Sequence, residues 1–341
     1  MMLVRWLFIS LLFAGLAKAQ DEAFTDADAA SDAEQMQAYR ALLHDAARQV
    51  TSGREAWLLA KGLSIPATQT TVQDRAMIAA LHARADSARD SDPLLLRLMT
   101  ANTGVRGSAP EQADALFTQL DALDPGNAIN TLAVMSLAPK DYADPIYDQR
   151  VQEMAAASHY RSDFLTMTRA SYGALARARD LAALPSESDF TSRPSDMAMA
   201  SATAVSIAAA WSLPGYQHLI KACDISLFPA RTDPCQRIAE LMFKDADTLM
   251  DRMIAVSLLE RTATDPADRV RVQALQQNAD WQLAAFQEIS LSRSYEAIMM
   301  SAEEFRYFAT MLHRDEIVAM RDLLAAHSVP LQAPADWKPR E

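Results

Sequence analysis

The stretch ALFTQLDALDPGNAINTLAVMSLA, residues 115 to 138, carries apolar residues at three- and four-residue steps on both sides of Asp124-Pro125-Gly126-Asn127. That spacing predicts a helix, a break and a second helix. An Asp side chain at an N-cap accepts hydrogen bonds from the free backbone N–H groups of a first helical turn. Pro fits the first helical position, where its missing N–H had no partner. The dipeptide Asp-Pro recurs with its Asp at 92, 124, 144, 233 and 265, so five helix starts are expected. Asp233 with Gln236, Asp265 with Asp268 and Ser301 with Glu304 have the spacing of capping boxes. Two intervals, 92 to 124 and 233 to 265, are both 32 residues, the size of one helix-turn-helix unit in a repeat array.

Working outward, the whole chain of 341 residues has only 8 Gly, against a usual ~7%. Sheets and phosphate-binding loops spend Gly on tight turns, so this poverty, with abundant helix formers, predicts an all-α protein. Helices are expected from about Glu34, then over 68–89, 93–103, 110–123, 125–138, 145–158 and 162–182, joined by short gaps as in stacked antiparallel pairs. Residues 184–196, LPSESDFTSRPSD, read as a linker. From Met197 to Ile220 there is no charged residue, and Pro214-Gly215 interrupts the run before it reaches spanning length, which favours a buried helix over a membrane span. Beyond it, one long amphipathic helix is expected from Pro234 to about Thr262, another over 266–288, and one or two over 302–326. The helical domain ends near 330, and residues 331–341 form a Pro-rich tail.

The N-terminus places Arg5 before an apolar run from Trp6 to Leu16, followed by Ala17-Lys18-Ala19 and Gln20. This is the pattern of a secretory signal with cleavage after Ala19; a membrane anchor is the alternative, and the run is short for one. No Cys stands at the cut, which disfavours a lipid anchor. Residues 20–33 are small and acidic and are expected to be a disordered leader. The chain carries a net charge of −12, and losing Arg5 and Lys18 makes it −14. Such a surface repels polyanions, so nucleic acid is not an expected partner. In an exported protein Cys223 and Cys235 read as a disulfide, with free thiols or half a metal site as the alternatives.

Around the opening stretch the chain resembles the tetratricopeptide-like helical repeats. With Pro125 in the family's closing position, Ala113, Phe117 and Leu120 fall on second-helix packing positions and Ala101 on the small first-helix position. Ile129, Leu132 and Ala133 continue the pattern, which then departs at Pro139 and Pro145 and lacks the family's aromatic at Arg97. The resemblance covers about 45 residues well and 34–183 loosely. It implies an α-solenoid of stacked antiparallel helix pairs and a concave protein-binding face; beyond it, the periodicity and the cysteine pair predict a C-terminal helical domain with the disulfide over 197–330.

Chemical signatures are sparse. The histidines occur singly, and His82 with Asp86 and His159 with Asp163 are the pairs at helical spacing; neither makes a zinc or di-iron motif, and no metal or cofactor is expected. Gly104 and Gly107 are too sparse for a phosphate loop. Glu303 and Glu304 before the aromatic FRYF are the candidate catalytic carboxylates, with first-turn helix acids as the alternative. Trp57, Trp211 and Trp281 are candidates for an apolar groove, or for core. The expected function is an exported, periplasmic or secreted scaffold or adaptor binding a cell-envelope protein. The alternatives are an envelope glycan hydrolase or lyase, and a carrier of an apolar small molecule.

Overall fold

A computed structural model describes residues 26–65, 70–102, 110–211, 215–291 and 301–338. The expected signal sequence, the start of the expected leader and residues 104–107 lie outside these residues. The described residues are all-α, without a strand; an isolated bridge joins Asn127 to His159. The helices are α1 (Asp26–Arg48), α2 (Gly53–Leu63), α3 (Val72–Ala88), α4 (Pro93–Asn102) and α5 (Pro110–Leu123). They continue as α6 (Ala128–Met135), α7 (Pro145–Ala155), α8 (Phe164–Arg177), α9 (Glu187–Ser192), α10 (Pro194–Trp211) and α11 (Tyr216–Ala222). The last are α12 (Thr232–Asp245), α13 (Leu249–Thr262), α14 (Pro266–Leu291), α15 (Ala302–His313) and α16 (Glu316–Ala326).

Sequence neighbours pack as pairs, among them α2 with α3, α6 with α7, α12 with α13 and α15 with α16. Two large apolar cores hold the stack together. The first gathers Leu42, Trp57, Leu58, Leu94, Tyr172, Ile207 and Phe308 from α1, α2, α4, α8, α10 and α15. The second gathers Ile129, Tyr147, Met154, Leu219, Ile238 and Leu258 from α6, α7, α11, α12 and α13. Each fully buried side chain of this size contributes ~1.5–3 kcal/mol. The cores interleave along the chain, because each draws on helices from both sides of residues 184–196. That expected linker contains α9, and its Phe190 stacks on Phe305 with ring centroids 4.7 Å apart. Close helix approach is visible at Gly62, where a Cβ would come within 2.9 Å of Ile207 Cδ1.

Several boundaries differ from the sequence reading, each for a local reason. α1 begins at Asp26, inside the expected leader; the segment is built from Ala, the best helix former, and from acids that suit a helix N-terminus. Asp92, Asp144 and Asp265 do cap, accepting the backbone N–H of Leu94, Ile146 and Asp268 at 3.0, 2.9 and 2.9 Å. Asp124 does not. The chain turns through Pro125 and Gly126, whose φ of +70° is left-handed, and Asn127 caps α6 by accepting from Ile129 N at 3.2 Å. Asp233 lies inside the first turn of α12, where no side-chain cap forms. The 32-residue spacings therefore do not join equivalent helix starts. The expected long helix from Pro234 is two helices, parted at Ala246-Asp247-Thr248.

Candidate functional site

The break between α12 and α13 gathers three described carboxyl groups that burial pushes above the ordinary carboxylate range. Thr248 caps α13 by accepting from Asp251 N at 3.1 Å, and its hydroxyl donates to Asp251 Oδ2 at 2.5 Å. Asp251 is 1% exposed, and its Oδ1 also accepts the phenolic hydroxyls of Tyr160, at 2.8 Å, and Tyr216. Those two hydroxyls lie 2.7 Å apart. Ser162 donates to Asp247 Oδ1 at 2.9 Å. On the far side Glu316, in the first turn of α16, accepts from Leu249 N at 2.8 Å and from Tyr307 Oη at 3.2 Å, while its own N–H donates to the Asp247 carbonyl at 3.0 Å.

Three carboxyl groups thus share one joint, and no salt bridge reaches any of them among the described residues. Burial disfavours their charged forms and each neighbour's charge adds to the effect. Burial, then Asp251, push Asp247 up to about 7; burial pushes Glu316 to about 7 as well, Asp251 and Asp315 adding to it. Asp251 is raised by burial against the hydrogen bonds donated by Thr248, Tyr216 and Tyr160. Burial and Asp251 hold Tyr160 and Tyr216 well above the ordinary phenol range. Near neutral pH such acids can hold or release a proton, which makes the joint a functional-site candidate by its electrostatics. Their hydrogen bonds nevertheless run within the chain, tying the entry to α8, the start of α13 and the start of α16 into one polar knot.

The second constellation is the disulfide. Cys223 and Cys235 are bonded, both fully buried, and close the loop Asp224–Pro234. Inside it Asp224 accepts from Ser226 Oγ at 2.6 Å, and its carbonyl accepts from Leu227 N at 3.0 Å and Phe228 N at 2.9 Å. Arg231, 4% exposed, lies over the Phe228 ring at 4.2 Å. Its Nε donates to Asp148 Oδ1 at 2.5 Å, and its Nη1 to the carbonyls of Tyr142 at 2.9 Å and Ala222 at 3.2 Å. At the outer turn stands Leu227, 68% exposed.

The residues singled out from sequence fall elsewhere. Glu304 closes the Ser301 capping box, and Glu303 meets His327 Nε2 at 2.9 Å, so the two first-turn acids are drawn to different partners. His159 and Asp163 are not paired: Asp163 serves Arg97, while His159 lies 3.2 Å from Ser158 Oγ. Among the described residues no group of three metal-binding side chains forms. Trp57 is core at 2% exposure, and Trp281 donates to the Pro330 carbonyl at 2.7 Å. The sequence carries one sign of the acid joint: Thr248-x-x-Asp251 has helix-start spacing inside an otherwise continuous apolar stripe. No helix described is long and apolar enough to cross a membrane. The chain matches no family model, no curated protein and no solved structure.

Proposed function

We propose that the protein is an exported, non-enzymatic helical scaffold that docks a protein of the cell envelope, with the disulfide-pinned loop as its contact element. The observation that carries this is Leu227, an apolar side chain held out in solvent on a loop fixed from within. Cys223–Cys235 closes the loop's base and Arg231 locks its interior by four polar or aromatic contacts. A binding element ordered before it meets its partner loses little conformational entropy on docking, and one desolvated apolar anchor carries much of a small interface. The disulfide itself is compatible with an oxidising compartment, and the signal pattern before Gln20 supports periplasm or secretion. A tetratricopeptide-like array over 34–183 would serve the same role by its concave face. The test is whether a photoreactive side chain at position 227 captures one defined protein in the cell envelope.

A further inference from the structure

Buried guanidinium groups in this protein are matched by carboxylates. Arg97 has Asp163 and Asp124, Arg150 has Asp114 and Glu153, and Arg231 has Asp148. Arg252 and Arg321 are only half-buried and lack such a match: among the described residues neither has a carboxylate within 4 Å, Arg321 Nε has no hydrogen-bond partner, and Arg252 lies over the Phe243 ring at 4.7 Å. The two are close enough that burial and the Arg321 charge together lower the basicity of Arg252, with Asp315 opposing. A guanidinium half out of water with no carboxylate in contact favours an anionic ligand.

Arg252 also lines a cavity of about 200 Å³, open at one side, between α12, α13, α14 and the C-terminal segment. Its other walls include Phe243, Leu275, Asn278, Leu331 and Gln332. The segment is a strap laid on α14. Gln282 Nε2 donates to the Leu331 carbonyl at 2.7 Å, and Asn278 Oδ1 accepts from Ala333 N at 2.8 Å. That bond leaves the Asn278 amide N–H₂ edge for another acceptor, beside a guanidinium fork and three apolar side chains.

We infer that this cavity is a binding site for a small aliphatic carboxylate, its head on Arg252 and the Asn278 amide and its tail against Phe243, Leu275 and Leu331. The pocket, half open to solvent, has room for a short-chain organic acid such as pentanoate. A fork of N–H donors matches a carboxylate's two oxygens, and the apolar walls favour an organic acid over a fully hydrated inorganic anion.

Calorimetric titration of the full chain with pentanoate, pentanol and inorganic phosphate tests it. Pentanoate is expected to bind with a Kd of about 1 mM or tighter, and pentanol and phosphate at least about tenfold more weakly. Arg252→Gln, with an unchanged circular dichroism spectrum, should weaken pentanoate by about tenfold or more. Ala279→Leu, which fills the cavity without touching the guanidinium, should abolish binding and covers the case in which Arg252→Gln fails to fold. No pentanoate binding by the wild-type chain overturns the inference, as does equal affinity for phosphate or undiminished binding by Ala279→Leu.

Discussion

Arg97 grips Asp163 with both arms of its guanidinium, Nε 3.0 Å from Oδ2 and Nη2 2.7 Å from Oδ1. The same group reaches Asn130 Oδ1 at 2.7 Å and Asp124 Oδ2 at 3.3 Å, so one residue of α4 ties together the 124–127 turn, α6 and the start of α8. A buried charge of this kind adds little over a well-packed apolar residue, but removing one partner leaves the others desolvated and unpaired. Arg97→Ala should therefore cost about 3 kcal/mol in urea unfolding. A cost below about 0.5 kcal/mol, as for an ordinary surface substitution, would deny the network its role.

The turn beside it separates two explanations of Asp-Pro. Asn127 Oδ1 accepts from both Ile129 N at 3.2 Å and Arg161 N at 3.1 Å. Asn127→Ala is expected to cost about 1–2 kcal/mol as a lost cap. Asp124→Ala should act through Arg97 and through Asn127, whose Nδ2 donates to Asp124 Oδ2 at 2.9 Å, so its effect should largely disappear in an Arg97→Met, Asn127→Ala background. Gly126→Ala should also destabilise, because its φ is +70° and a Cβ there would meet Ser158 Oγ at 2.6 Å. Equal losses for Asp124→Ala in both backgrounds would restore the simple cap.

These elements show what the chain discloses locally and what it withholds. α5 runs over Pro110–Leu123 as its periodicity predicts, and Cys223 is joined to Cys235 as the spacing suggests. Both depend on short-range chemistry. The break at Ala246–Thr248 has one local sign, Thr248 with Asp251 at helix-start spacing, but the apolar stripe continues in phase across it, and the bonds to Ser162 and Glu316 that fix it are long-range. Arg97 looked like a defect in a repeat because its partners lie 27 to 66 residues away. The interleaving of the two cores is equally non-local: nothing near Phe308 announces that it packs edge-on against Tyr172 at 5.5 Å.

The acid joint gives the protein a pH response of defined sign. Asp247 and Glu316 bind protons more tightly folded, at about 7, than their ordinary values of 3.8 and 4.5. The folded state therefore holds more protons between those limits, and stability falls as pH rises through them. Asp74 works in a different window: burial opposes its charge, but hydrogen bonds from Thr71 and His44 and the Arg40 charge prevail and hold it at about 2. Its contribution is lost as pH falls from about 4 towards 2. The urea midpoint should thus drop between about pH 5 and pH 7, and Glu316→Gln should flatten that drop. A midpoint that rises over this range, or an unaltered slope in the variant, would contradict the assignment.

The disulfide closes a short loop, and in the chain-entropy model such a closure stabilises by about 3 kcal/mol. Cys223→Ala with Cys235→Ala should lower stability by about that amount, and non-reducing mass analysis of the wild-type chain should find no alkylatable thiol. Two free thiols in exported material would refute the bridge.

The central claim is that a protein partner docks on Leu227. A photoreactive phenylalanine analogue at 227 should crosslink one defined envelope protein at near-stoichiometric yield, while the same group at Val72, 74% exposed and also apolar, should not. The captured protein, purified, should bind the wild-type chain and bind Leu227→Asp at least about tenfold more weakly, with the circular dichroism spectrum unchanged. Crosslinks that are absent at 227, equal at 72 and 227, or to a protein whose affinity Leu227→Asp leaves unaltered, would contradict it.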